Sequence, residues 1–485
     1  MKRVGLSYKK TVLLVFTVAF FLRLYQLGYR DFWYDEMGTI SNIMSHYYSN
    51  QTPFYSMLMQ AWNKLFGISE FSLRLPSLIF SFLSVILVFI LGLRLFNKNV
   101  SMLAACVMGL SPFHIWYAQE ARSYSMLLFF GLLSNCLLFE ALKEEDKKLW
   151  AVFILVSVLG LYTNYCHLIL LVTQFLYVLY SKKLRISLMH IIGFLVIILG
   201  FSFLLPSFFK KFFFVWGGFW IPRPSWWKSP IYTLGQFMLG YNAPKQLYIL
   251  SIILLGVFFT SLFLNIKERT KNTIFCMFML FVPMFLTLAF SLLLFPIYLS
   301  RVLIMASPFL YLIAAKGALS LDRLAKKHLL SMIFLALFIA IYGYFNDWMP
   351  KKYLGINLKK PIRPVARFID ERFGAQDILA FTDVSVMPSF KFYSIRKMNT
   401  YYLFDPEFPG QIHQRPISKG RFLIPLDEIN MLNAKRIWVI YSNWDRDGKL
   451  YDSSRSIKEY LDENFAVEES EEFDGLQVVV YTKKP

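Results

Sequence analysis

Apolar runs of about 17 to 22 residues with few or no charges recur along the first 345 residues of this 485-residue chain, separated by short polar turns. Runs of that length cross roughly 30 Å of hydrocarbon as helices. The pattern predicts eleven crossings, at about 11–28, 74–95, 99–113 and 123–142, a hairpin of two within 149–181, then 186–206, 246–265, 273–294, 301–319 and 329–345. The basic turns "KRVGLSYKK", "RLFNKN", "KEEDKK", "SKKLR", "NIKERTKN" and "DRLAKK" then fall on one side, which the positive-inside rule makes cytoplasmic. "DFWYDE", "SPFHIWYAQEARSY", "TNYCH", the Trp- and Phe-rich "KKFFFVWGGFWIPRPSWWKSP" and "FPIYLSR" fall on the other.

After Asn346 the texture changes. An amphipathic helix near 363–373, a short apolar strand "DILAF", a strand "RIWVIYS", a helix "SSRSIKEYLDENF" and a closing strand "GLQVVVYT" predict a small α/β domain over 346–485. It holds no Gly-rich phosphate loop, no triad spacing and no CxxC, which favours a structural or acceptor-facing role over a second active site. The fold class expected is thus a polytopic α-helical membrane protein, 1–345, with a first outer loop at 29–73 and a small α/β domain outside the cytoplasm.

Composition adds little and excludes much. The net charge of +20 would suit nucleic acid, but the cations lie in clusters between apolar runs, where they orient helices, so no nucleic-acid partner is expected. Cys106, Cys136, Cys166 and Cys276 sit in or at the ends of apolar segments and make no disulfide framework. No small-residue cleavage site follows the first run, which is therefore expected to stay as a helix.

The chemistry is concentrated at the outer helix ends. Asp35 and Glu36 lie among aromatics in the first outer loop, and Glu120 and Arg122 lie in the next. A carboxylate in a partly dry pocket can act as a base, and a guanidinium can hold a phosphate bidentately. Lys210, Lys211, Lys228 and Lys245 are expected to reach lipid headgroups instead.

The stretches "RLYQLGYRDFWYDEMGT", "TPFYSMLMQAWNKLFGISEFSLRLPS", "LSPFHIWYAQEARSYSMLLFF" and "LYTNYCH", with "FPIYLSRVLIMASPFLYLIAAKGA" as a weaker later match, resemble the GT-C membrane glycosyltransferases of glycosyltransferase family 39, which include protein O-mannosyltransferases and aminoarabinose transferases. The resemblance implies an inverting hexosyl or pentosyl transferase of the inner (cytoplasmic) membrane. It would move a sugar from a polyprenyl-phosphate donor to a lipid, glycan or protein acceptor on the outer face, without cofactor. By position, the family's first-loop acid falls on Asp35 and its neighbour on Glu36. Asp35 would deprotonate the acceptor while Arg122, Arg301 and Arg74, with Arg23 behind them, hold the leaving phosphate. Tyr34, His114, Glu120 and Tyr124 would line the pocket.

The chain departs from the family where many members carry His or Lys before a Pro-Pro pair: here Gln51 and Thr52 precede the single Pro53, the expected N1 residue of a helix capped by Thr52. His46, His114 and His167 match no compact ligand spacing, so no metal is expected. The rival reading is a transporter or lipid flippase, and a third is an inactive envelope scaffold. Transporters tend to show internal repeats and charges near the bilayer midplane, whereas the charges here gather at outer helix ends with no repeat between the halves.

Overall fold

A computed structural model describes residues 2–45, 52–181, 188–216, 221–240, 245–264, 270–321, 323–345, 360–383, 385–405, 423–431, 434–442 and 452–484. The chain divides into two compact units. One comprises Met1–Leu27, Asn42–Trp216 and Ile221–Asn346; the other comprises Gly28–Ser41, Gly217–Trp220 and Asp347–Pro485. The segment that begins the predicted first outer loop thus groups with the C-terminal domain.

In the first unit every predicted apolar run is helical, from Lys2–Leu24 to Arg323–Phe345. Among the described residues three helices are long and apolar enough to cross a bilayer alone: Glu70–Leu95, Tyr124–Glu144 and Lys271–Leu293. Two bent pairs reach that length together, Lys98–Leu110 with Pro112–Ala118 (59°) and His190–Ser202 with Leu205–Trp216 (73°). The first bend falls where Pro112 brings no N–H to the helix ladder. The run at 301–319 is also divided, into a 3-10 turn at Ile304–Ala306 and the helix Ser307–Ser320. The length criterion therefore gives three to five spans, and the eleven predicted crossings include shorter helices such as His167–Ser181. Helices beyond those predicted occupy Tyr34–Ser45 and Lys228–Leu239, and the helix expected to begin at Pro53 runs Pro53–Phe66.

Polar side chains set where these helices begin. Asn97 Oδ1 accepts from the N–H groups of Asn99 and Val100, Asp146 from Lys148, and Ser69 from Ser72, satisfying donors that a helix start leaves open. Pro53 is the N1 residue expected, but Thr52 makes no side-chain cap; its hydroxyl donates to the Thr163 carbonyl instead. Glycines set the spacing. A Cβ on Gly92 would lie 2.8 Å from Ser101 Cα, and one on Gly160 would lie 2.5 Å from the ring of His167, so the turns at 96–97 and 164–166 join tightly packed neighbours.

The C-terminal unit carries a six-stranded sheet with strands β1 (Ile378–Phe381), β2 (Thr400–Phe404), β3 (Leu423–Pro425), β4 (Arg436–Ser442), β5 (Phe465–Phe473) and β6 (Leu476–Lys483), in the order β3-β2-β1-β4-β6-β5. The first four run parallel; β6 is antiparallel to β4 and to β5. Helices Ile362–Arg372 and Met387–Tyr393 cover one face through Ile362, Val365, Ile369 and Phe390, and Ile457 and Leu461 of helix Asp452–Asn464 cover the other. Burial on both faces explains why β1 and β4 read as continuous apolar runs. β2, β3 and β5 do not follow from the sequence pattern. β5 ("FAVEESEEF") is half exposed and acidic, at the sheet edge, where charge blunts pairing with other chains.

Candidate functional site

Asp35 and Glu36 occupy the first turn of helix Tyr34–Ser45, where carboxylates favour the positive end of the helix dipole. Their surroundings differ. Glu36 is fully buried, and its Oε2 accepts from the Trp33 N–H at 3.4 Å, the return contact of a capping box. Asp35 and Tyr34 are half-buried. Of the pair, Glu36 has a local structural task and Asp35 keeps access to its surroundings. Just upstream, the Asp31 carboxylate takes the backbone N–H of Arg363 at 2.8 Å and its guanidinium at 3.1 Å.

In the helical unit, the stretch "AQEARSY" is fixed by its backbone and by its neutral polar side chains. Gln119 Nε2 donates to the carbonyls of Arg23 (3.1 Å) and Tyr25 (2.6 Å), the Ser125 hydroxyl to Tyr117 O (2.8 Å), and the Ser77 hydroxyl to Arg122 O (3.2 Å). Asn164 of "LYTNYCH" donates to Ser123 Oγ at 3.0 Å and caps its own turn by accepting from the Cys166 N–H at 2.9 Å. The two motifs are therefore one structure. They hold Arg122 half-buried, with Glu120 buried beside it in sequence.

Further cations join Arg122. The Arg301 guanidinium lies 5.7 Å from the Tyr124 ring centre, and the Lys211 ammonium 5.8 Å from that of Tyr165. Arg122 and Lys211 are near enough to repel, and Cys166 lies in the field of both Lys211 and Arg301. Cations held beside tyrosine rings in this way are of the kind that takes up a phosphate. Lys211 is the member that sequence reasoning misses, because "FFKKFFF" carries the pattern of an interfacial helix whose lysines reach headgroups.

The other candidates have structural surroundings. Arg74 is buried and donates to Leu27 O at 3.0 Å, holding the chain as it leaves the first helix. Arg23 is fully buried, and its donors reach Ser81 Oγ and the carbonyls of Ala19, Met108 and Gly109 at 2.8–3.2 Å, a clamp between helices. His114 is 1% exposed, accepts or donates at Ser307 Oγ (3.0 Å) and packs against Phe113 and Tyr311; it belongs to the core of the helical unit and does not line a loop pocket. His167 is buried against Gly160, and His46 lies outside the described residues. Among the described residues no group of three or more His, Cys, Asp or Glu side chains could hold a metal ion.

Residues 50–208 match the model of the dolichyl-phosphate-mannose-protein mannosyltransferase family. No curated protein sequence matches. The fold is that of ArnT from Cupriavidus metallidurans: the apo crystal structure aligns over 98% of both chains with a TM-score of 0.61 at 12% identity. The same protein bound to undecaprenyl phosphate aligns over 97% of both chains, with a TM-score of 0.62 at 11% identity. The apo oligosaccharyltransferase of Archaeoglobus fulgidus aligns over 90% of this chain and 69% of its own, at a TM-score of 0.50 and 9% identity. The chain thus shares the fold of ArnT along nearly its whole length, and residues 50–208 carry the sequence signature of the mannosyltransferase family.

Proposed function

We propose that this protein transfers a sugar, with inversion, from a polyprenyl-phosphate carrier to an acceptor at the outer face of the cytoplasmic membrane. The observation that carries this reading is the cluster of Arg122, Arg301 and Lys211 with Tyr124 and Tyr165, of which Arg122, Tyr124 and Tyr165 stand on the two motifs that are wired together. A phosphate leaving with developing negative charge is stabilised most by cations already in place. The structural relative that was crystallised with undecaprenyl phosphate supports the same donor class. Asp35, in the first turn of its helix and half-buried, serves as the base that takes the acceptor proton as the acceptor oxygen attacks the anomeric carbon. The C-terminal domain lies on the same outer side, and the sugar is a hexose or pentose.

The test is donor-lipid binding. Arg122→Ala and Arg301→Ala should each weaken binding of undecaprenyl phosphate by about tenfold to a hundredfold, the range for a lost charge-assisted hydrogen bond. Arg122→Lys should recover only part of it, since an ammonium lacks the fork geometry. Melting temperatures measured on the same variants separate binding from folding. A lowered melting temperature with undiminished lipid affinity would assign Arg122 to loop structure and remove it from the phosphate site.

A further inference from the structure

The C-terminal unit grips the segment that carries the acid pair. Asp31 is 7% exposed, and its two oxygens are divided between Arg363's backbone N–H (2.8 Å) and its guanidinium (3.1 Å). Arg363 stands in the first turn of helix Ile362–Arg372, where unpaired N–H groups and the helix dipole favour an anion. One residue on, the Phe32 N–H donates to the Tyr393 hydroxyl at 2.7 Å, and the Phe32 ring meets Phe392 edge to face at 5.6 Å. The grip closes on itself, because the Arg363 guanidinium lies 5.0 Å from the Tyr393 ring centre.

The gripping residues are anchored in turn to the sheet. Lys360, two residues before helix Ile362–Arg372, is 4% exposed and donates to Ser442 Oγ at the end of β4; the Ser442 hydroxyl donates to Asp383 Oδ2 (3.2 Å) just beyond β1. The Lys360 carbonyl accepts the Ile362 N–H at 2.9 Å. A continuous set of contacts therefore runs from the carboxyl ends of β1 and β4, where the strand order reverses, through Lys360 and Arg363 to Asp31. The outer end of such a parallel block is the usual ligand position of doubly wound sheets. Here part of the same chain occupies that end, and it leads within four residues to Asp35.

We infer that Arg363 and Tyr393 are positioning residues for the transferase centre: by holding Asp31 and Phe32, the C-terminal domain fixes the start of helix Tyr34–Ser45 and hence the place of Asp35. This rests on the reading of Asp35 as the base, but the grip itself is testable without it. Nothing in the grip touches the reacting atoms, so its loss should displace the base without weakening donor binding. A displacement on the order of 1 Å can cost a hundredfold in rate.

The experiment uses the full-length protein in detergent or nanodiscs. In the double variant Arg363→Ala with Tyr393→Phe, amide hydrogen exchange in residues 28–41 should quicken while that of β4 and β6 stays slow. Turnover should fall by about tenfold to a hundredfold with the donor KM within about twofold of normal. Arg363→Lys, which keeps a cation opposite Asp31, should restore most of the turnover. Unchanged exchange in 28–41 overturns the grip. Quickened exchange with normal turnover overturns its positioning role. A donor KM that rises as much as kcat falls points to a general disturbance and also overturns it. Should β4 and β6 lose protection, the milder Asp31→Asn, which leaves both gripping side chains in place, is put through the same measurements and decides on the same outcomes. If Asp35→Asn keeps normal turnover while the double variant loosens 28–41, the catalytic reading fails and the grip stands.

Discussion

Two adjacent carboxylates that look alike in sequence have different surroundings once the helix start is known. Helix Tyr34–Ser45 puts Glu36 three residues after Trp33, and the buried Glu36 side chain turns back to the Trp33 N–H. Glutamine can make the same contact, so Glu36→Gln should keep stability and most turnover. Glu36→Ala should cost about 1 kcal/mol, as the loss of a helix cap does. Asp35→Asn should insert and melt normally yet lose about two to four orders of magnitude in turnover. Steady-state transfer assays with melting curves on the three variants check the division, and comparable turnover losses in Asp35→Asn and Glu36→Gln would place both acids in the chemistry. The return contact of Glu36 was not legible in the sequence, because Trp33 is not a residue type that announces a cap. His114 was illegible for a similar reason. A histidine beside "IWY" fits an interfacial pocket as well as a core, and only the Ser307 contact from a helix nearly two hundred residues away decides.

Single helices and strands were legible wherever one periodicity ruled a whole segment. The apolar runs and the two central strands β1 and β4 follow from their patterns, whereas the edge strands β3 and β5 do not, since a half-exposed strand such as "FAVEESEEF" has little apolar alternation. Helix starts were less legible, since Thr52 caps nothing and spends its hydroxyl on Thr163 O. In the C-terminal unit Lys360 is a buried cation. Burial lowers its pKa from 10.5 to about 7, against the opposing pull of Asp383. Between about pH 7 and 10.5 the unfolded chain therefore holds a proton at this site that the folded domain has released. The folded state then binds fewer protons than the unfolded one, and stability rises with pH across that window. The full gain is a few kcal/mol, at about 1.4 kcal/mol for each pH step of one within the window. Hydrogen exchange of β4 amides in the full chain, corrected for the intrinsic rate at each pH, should show the slope, and Lys360→Met should flatten it. A slope that survives in Lys360→Met would mean that another group titrates. Asp377 gives a slope of the same sign at low pH. Its burial would raise the carboxyl's pKa, but hydrogen bonds from Arg436, Gly374 and Trp438 outweigh that and hold it below the usual range, so its contribution is lost as the pH falls through that lowered value.

For the whole molecule, charge placement and apolar length make different predictions. Among the described residues three helices satisfy a spanning length and two bent pairs satisfy it together, whereas the basic turns predict a side for the end of every apolar run. The difference is physical: a span shortened or broken by Pro112 or by the turn at 203–204 fails a length test, while the lysines and arginines flanking it still report the side on which it ends. What the sequence did not show was that the first outer segment folds with the C-terminal unit, because contacts such as Asp31 with Arg363 span 332 residues and leave no local pattern. Membership in one unit also constrains topology. Gly28–Ser41 and the C-terminal sheet must lie on the same side of the membrane. The number of crossings between Ser45 and Lys360 is therefore even, as ten further crossings after the first helix require. Reporter fusions after Asn97, Asp146, Lys183, Thr270 and Ala325 should accordingly report the cytoplasm, and fusions after Asn50, Pro224 and Thr400 the outer side. A cytoplasmic signal after both Asn50 and Thr400 would keep the unit intact but turn Asp35 away from an outward-facing lipid-linked donor, removing the proposed transfer reaction. Opposite signals at those two positions would contradict the shared unit itself, and with it the grip of Arg363 on Asp31.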